Sequence, residues 1–402
     1  MTRRDGAAPI RDGVAIGLLA FGQTIAWAGI YYIFAALLLT WERETGWSKP
    51  ELTLALTLAI LTSSMAAPVA GRLVDRGRGA LMIGCATALG GLAVACLSLA
   101  QNLPAFYSLW ILIGACQAGA LYEACFAIVT RARGPAARRA ITTIALVAGF
   151  ASAIAFSGTA FFLQRMEWRE VAVIFGLGTL ILAAPASWQG ARQLERSGAM
   201  LETRVPERSR AAHPAPRALL LLLALAFPMM ALNHGMILNH LLPLLDSREI
   251  APDLAVLAAS IIGPMQVAGR LVMMLAERRI SSLTATLVSF AGVILAALML
   301  LASQIAPVLI FVSVILQGAT YGLISILKPV VIAEFSGPAG IARVLGWMAL
   351  PYLGCFALAP YLGALIWTVG GYDLMLIAAA GFAAAGFAAI AFAARFRPDQ
   401  AA

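Results

Sequence analysis

Val69-Ala70-Gly71-Arg72-Leu73-Val74 returns, letter for letter, as Val267-Ala268-Gly269-Arg270-Leu271-Val272, an offset of 198 residues. A second echo, Gly119-Ala120-Leu121-Tyr122 against Gly318-Ala319-Thr320-Tyr321, falls at an offset of 199. Two matches at nearly one offset divide the 402 residues into two similar halves. Around each copy the sequence is apolar. Runs long enough to span a bilayer, ~20 residues each, fall at about 13–40, 52–74, 80–100, 104–130, 140–163 and 170–189. Six more fall at about 218–245, 254–276, 282–303, 306–331, 343–369 and 373–394. The first echo lies late in the second run of its half, and the second echo lies in the fourth.

Composition agrees with that reading. The chain is 61% hydrophobic and 12% charged, with a mean hydropathy of +0.89. It lacks the polar residues that the surface of a water-soluble fold of this length requires. The expected fold is therefore an all-α integral membrane protein of twelve transmembrane helices in two pseudo-symmetric six-helix bundles. Residues 1–189 form the first bundle, 190–217 a linker and 218–402 the second bundle. Parallel repeats imply a pseudo-two-fold axis along the membrane normal, with a site near mid-membrane. The linker carries six Arg, three Glu and Pro206, Pro214 and Pro216. It reads as partly disordered, with an interfacial helix around Ala191–Glu202.

Charge sets the orientation. The net charge is +9, but the basic residues sit in short segments between apolar runs rather than in a patch for nucleic acid. With the N-terminus inside, 22 of the 28 Lys and Arg residues fall on the inner side, Lys328 and Arg343 counted among them, and 5 on the outer side. Both termini are then cytoplasmic. The polar, basic start from Met1 to Gly13 and the long run after it favour an uncleaved anchor over a signal peptide. The expected place is a bacterial inner membrane, and the partners are the lipid bilayer, a small-molecule solute and protons. The chain is expected to work as a monomer.

Several classes of chemistry find no support. There is no Walker GxxxxGK[ST], no GxSxG and no HExxH. The five cysteines lie inside apolar runs without a CxxC or Cys/His cluster, so no metal or other cofactor is expected. A membrane-embedded enzyme would need such a set, and a sensor would need an appended domain. A carrier needs neither.

One loop carries a family likeness. Gly71-Arg72-Leu73-Val74-Asp75-Arg76-Gly77-Arg78 resembles the loop between helices 2 and 3 of the major facilitator superfamily, whose pattern is G-x-L-x-D-R-x-G-R. This chain is one residue shorter before the last Gly-Arg pair. The resemblance implies a secondary transporter with Gly71, Arg72, Asp75, Arg76 and Arg78 as its cytoplasmic gate motif. Glu44-Thr45-Gly46-Trp47-Ser48, Ala67-Pro68-Val69-Ala70-Gly71 and Pro264-Met265-Gln266-Val267-Ala268-Gly269-Arg270 resemble bacterial members of the monocarboxylate-transporter branch. That likeness implies proton-coupled movement of small organic anions. The branch's helix-8 Asp-x-x-x-Arg pair stands here as Gln266 and Arg270.

Ionisable groups inside spans are costly and mark pathways. Glu123 lies in the fourth run, about 9 Å from its inner end at 1.5 Å per residue. Its counterpart in the second half is Gly322. It reads as the proton-coupling carboxylate or, failing that, as a bridge to Arg131 or Arg72. Arg270 reads as a bidentate contact for a substrate carboxylate or as a snorkelling mirror of Arg72, and it should lie deeper than Arg72. His234 reads as a solute or proton contact, or as an interhelical hydrogen bonder. Gln23, Trp27 and Tyr31, at i, i+4 and i+8, share a face that could line a cavity. Gln117, Tyr122, Gln266, Gln317 and Tyr321 complete the expected substrate contacts, with interhelical bonding as the plainer role for the two repeat-related glutamines, Gln117 and Gln317. An exporter of hydrophobic compounds or drugs, driven by proton antiport, is the alternative function.

Overall fold

A computed structural model describes residues 7–202, 217–276, 279–336 and 341–396. Eleven helices among them are long and apolar enough to cross a membrane. The first ten are α1 (Gly13–Leu38), α2 (Glu51–Asp75), α3 (Gly79–Leu99), α4 (Leu103–Arg133), α5 (Ala137–Leu163), α6 (Trp168–Ser197), α7 (Arg217–Ser247), α8 (Asp253–Ala276), α9 (Ser282–Ala302) and α10 (Val308–Ser336). The eleventh, Ile341–Ala393, leaves helical geometry at Gly370 (φ −151°, ψ 25°) and Gly371 (φ 69°, ψ −171°). It is two spans, α11 (341–369) and α12 (372–393). The positive φ at Gly371 is what lets the chain turn back there. The twelve expected spans are present.

Local signals explain where the helices begin. The Ser48 hydroxyl accepts the Glu51 N–H, and the Glu51 carboxylate returns the bond to the Ser48 N–H at 2.8 Å. This closes a capping box before α2. Asn102 Oδ1 accepts the Ala105 N–H at 2.9 Å before α4, and Ser281 Oγ accepts the Thr284 N–H at 3.1 Å before α9.

The chain forms two compact units, Met1–Ala212 with Pro338–Leu350 and His213–Gly337 with Pro351–Ala402. The first turns of α11 therefore go with the first six helices. Residues 203–216 of the expected linker lie outside the described residues. The separate interfacial helix expected at Ala191–Glu202 is instead the continuation of α6, helical through Glu202. Ala191 and Leu194 are buried, and Glu195 accepts the Ala80 N–H at 3.1 Å at the start of α3. Packing against α1 and α3 carries the helix past the end of its apolar run.

The first unit is held by an aromatic core. Trp41, Trp110, Trp168, Phe34 and Phe106 are fully buried or nearly so. Phe34 meets Trp110 edge-on at 4.9 Å, and Trp41 meets Phe106 at 5.0 Å. The second unit has an aliphatic core of Leu, Ile, Met and Ala from α7 to α10 and α12, among them Met236, Leu244, Ala258, Leu300, Val314 and Met375. At one end of that unit Arg248 reaches Leu300 O, Ser303 Oγ and the Asp373 carboxylate, the last at 2.9 Å. It ties together the ends of α7, α9 and α12.

The residues of the motif expected to form a gate differ in their surroundings. Arg72, Arg76 and Arg78 are exposed. The Asp75 carboxylate accepts the Ala342 N–H at 3.0 Å and the Arg343 N–H at 2.7 Å. These are first-turn donors of α11, which have no partner within the helix, and a carboxylate suits the positive end of the helix dipole. Gly71 faces Ala342 so closely that a Cβ would come within 2.2 Å of its carbonyl oxygen. Asp75→Asn turns one acceptor into a donor facing an N–H. It is expected to cost about 1–2 kcal/mol, measured as faster amide exchange at Ala342 and Arg343.

Candidate functional site

In the first unit the site residues gather around two helix irregularities. In α1 the turn Ala28–Tyr32 is a π-helix, a feature frequent at functional sites. Gln117 Nε2 donates to Ile30 O in that turn at 2.7 Å. α4 breaks at Leu121 (φ −91°, ψ −164°) and restarts at Tyr122. Gln23 Nε2 donates to the Ala120 carbonyl at the break, also at 2.7 Å. Both glutamine amides thus take up backbone acceptors at interruptions of the neighbouring helix, which an apolar surrounding would otherwise leave costly. Gln23 is fully buried.

The rings cluster beside these irregularities. Trp27 packs on Tyr31 at 4.9 Å, on Tyr122 at 4.7 Å and on Tyr32 at 6.0 Å. Tyr122 stacks on Phe126 at 4.7 Å. The Gln23–Trp27–Tyr31 stripe assumed uniform α-helical periodicity. The π-turn adds a residue and brings Tyr32 into the cluster. The Trp27 Nε1–H is buried with no hydrogen-bond partner among the described residues. Glu123 is half-buried in the first turn of the second half of α4. The exposed N–H groups and dipole of a half-helix start favour a carboxylate there. No proline or Gly pair at 119–122 breaks α4 by itself, so the interruption has no local signal.

In the second unit a polar stripe runs along α10. Gln317, Tyr321 and Lys328 lie at i, i+4 and i+11, which returns them to one face. Gln317 Nε2 donates to Asn233 Oδ1 at 3.1 Å and stands 3.2 Å from His234 Nδ1. Asn233 Nδ2 donates to Ala379 O at 3.0 Å. The imidazole of His234 stacks on the Tyr321 ring, with centroids 3.4 Å apart and planes within 10°. Tyr321 and Tyr352 join through their hydroxyls at 2.9 Å, and the Lys328 ammonium lies over the Tyr352 ring, 3.8 Å from its centroid. His234 is 2% exposed and Lys328 5%. His240 makes an interhelical contact, its Nε2 2.9 Å from Pro360 O.

Arg270, on α8, packs against another face of α10. Its Nε donates to Gly322 O at 3.0 Å, and it is 8% exposed, while Arg72 is exposed. Arg270 is thus buried in its unit where its mirror is exposed in the other. Gln266 packs its backbone onto Gly322: a Cβ there would come within 2.6 Å of Gln266 Cα and O. This explains why the counterpart of Glu123 is a glycine, since α8 leaves no room for a side chain. Lys328 corrects the topology count. It is a buried residue inside α10, not a cytoplasmic loop residue. The signal was present as a charge within an apolar run, and reading it only for orientation hid it. Tyr352 and Phe126 were missed because single aromatics in apolar runs read as packing.

The architecture and site define a transporter fold, and the comparisons agree. The sequence profile of the Major Facilitator Superfamily matches residues 19–350. The chain belongs to that superfamily, a family of secondary transporters and not of enzymes. The fold resembles the proton:xylose symporter XylE bound to 6-bromo-6-deoxy-D-glucose, with TM-score 0.71, 10% identity, and 97% of this chain and 96% of that one covered. It resembles the human organic anion transporter MFSD10 (TETRAN) with TM-score 0.70, 15% identity, and 96% and 100% covered. It also resembles FucP, a superfamily transporter in the outward conformation, with TM-score 0.62, 12% identity, and 95% and 99% covered. No curated relative matches the chain.

Proposed function

We propose that the protein moves a small organic anion, of the monocarboxylate kind, by proton-coupled alternating access. The observation that carries this reading is the sign of the buried charge. Arg138, Arg270 and Lys328 are buried among the described residues, while no Asp or Glu is buried as a whole residue there. Buried cations within the spans of a bilayer protein are costly and mark solute pathways, and their sign suits an anionic solute. Glu123, at the head of a half-helix, supplies the protonatable group. The Trp27 N–H and the rings around it supply contacts for the body of the solute. The basic-residue bias places both termini in the cytoplasm, in a bacterial inner membrane, and the chain acts as a monomer.

The aromatic cluster of Trp27, Tyr31, Tyr32, Tyr122 and Phe126 also favours a second reading, proton-driven export of hydrophobic compounds. Uptake and counterflow of labelled mono- and dicarboxylates in proteoliposomes, with and without a pH gradient, separate the two. Carboxylate accumulation driven by an acidic exterior is the expected result. If no carboxylate moves while a lipophilic dye is carried against its gradient, the exporter reading replaces it.

A further inference from the structure

We infer that His234 is a fixed, neutral hydrogen-bond donor that offers its Nε2–H to an acceptor oxygen of the solute, and that it takes no part in carrying the proton. The inference rests on the organic-anion reading and assigns one of its contacts in the second unit.

The place of the imidazole proton follows from a chain of bonds that begins at a backbone carbonyl. Ala379 O, on α12, can only accept, so the Asn233 atom 3.0 Å from it is Nδ2. This turns Asn233 Oδ1 toward Gln317. An acceptor there calls for the Gln317 Nε2 that lies 3.1 Å away. The same amide nitrogen has a second hydrogen, and His234 Nδ1 stands 3.2 Å from it. A protonated Nδ1 would set donor against donor, so Nδ1 accepts and the ring's single proton is on Nε2. Groups on α7, α10 and α12 thus fix the tautomer, and none of the groups in that chain titrates.

The Nε2–H has no acceptor among the described residues. His234 is buried, and it lies about 25 Å from the start of α7 and about 20 Å from its end at 1.5 Å per residue. A buried N–H without an acceptor is costly, and a carrier built from repeats binds its solute near that depth. Stacking on Tyr321 sets the plane of the ring and so the direction of the N–H. The first unit shows that the fold itself does not call for an imidazole. There the repeat-related Gln117 gives its amide to a backbone carbonyl, Ile30 O, instead. An N–H only donates, so it suits an acceptor oxygen, and a carboxylate is the strongest of these.

The test uses the full-length chain in proteoliposomes with labelled butyrate as the probe. His234→Phe keeps a ring on Tyr321 and removes the donor. Its KM should rise about tenfold or more, with kcat changed less. His234→Gln cannot relay a proton, but its amide offers an acceptor to Gln317 and an N–H to the solute. It should hold KM within about threefold of the wild type and keep accumulation driven by an acidic exterior. A direct reading comes from the wild type with nitrogen-15 histidine, in lipid at neutral pH. Of its three histidines, His234 is the one whose signals vanish in His234→Gln. Nδ1 should resonate as a bare ring nitrogen and Nε2 as a protonated one, and butyrate should shift Nε2 and leave Nδ1 in place. Gln317→Met removes the positioning amide and should bring in the Nδ1–H form. The inference falls, and the organic-anion reading stands, if butyrate is carried but Nδ1 is protonated, Nε2 does not respond to butyrate, His234→Phe leaves KM unchanged, or His234→Gln exchanges butyrate without accumulating it. If the wild type carries neither butyrate nor any other carboxylate, the organic-anion reading falls and the inference with it.

Discussion

Glu123→Gln is expected to abolish proton-driven accumulation and leave solute exchange intact. The substitution keeps the size and the hydrogen-bonding reach of the side chain and removes only its ability to take and release a proton. Glu123 is half-buried in the first turn after the break in α4. A gradient of about one pH unit supplies about 1.4 kcal/mol per proton, so one coupled proton concentrates the solute about tenfold. The variant should give an accumulation ratio near one in proteoliposomes with an acidic exterior, with counterflow close to the wild-type rate. Retained accumulation would remove Glu123 from the coupling step and shift attention to the stripe on α10.

Gly322→Ala should destabilise the second unit by about 1–3 kcal/mol, although alanine is the better helix former. The new Cβ would come within 2.6 Å of the Cα and carbonyl oxygen of Gln266. Backbone cannot swing aside as the end of a flexible side chain does, so α8 and α10 must separate. The Arg270 bond to Gly322 O, at 3.0 Å, spans the same contact and would lengthen. Gly263→Ala is the control. It lies on α8 in the same unit with nothing within 4 Å of its hypothetical Cβ. There the gain in helix propensity, up to about 1 kcal/mol, should raise or hold the melting temperature. Thermal unfolding of the two variants in detergent compares them directly. Equal melting temperatures would mean that the close approach of α8 and α10 does not carry stability.

The sequence by itself determined the number of spans and the family. These depend on apolar length and on repeated letters, both of which are local. It also singled out Arg270 and Glu123, because a charge in an apolar run is visible without coordinates. The tertiary structure decided what surrounds those charges. The break at Leu121 and the π-turn at Ala28–Tyr32 carry no local signal, because they are stabilised by Gln23 and Gln117 across helices rather than by the residues that bend. The repeat VAGRLV led to the asymmetry between Glu123 and Gly322, but only the approach of Gln266 gives its cause. Lys328 was read as a loop charge until burial placed it under Tyr352. A periodic apolar pattern says which residues are in a span. Which of them meet depends on side chains from helices far apart in the chain.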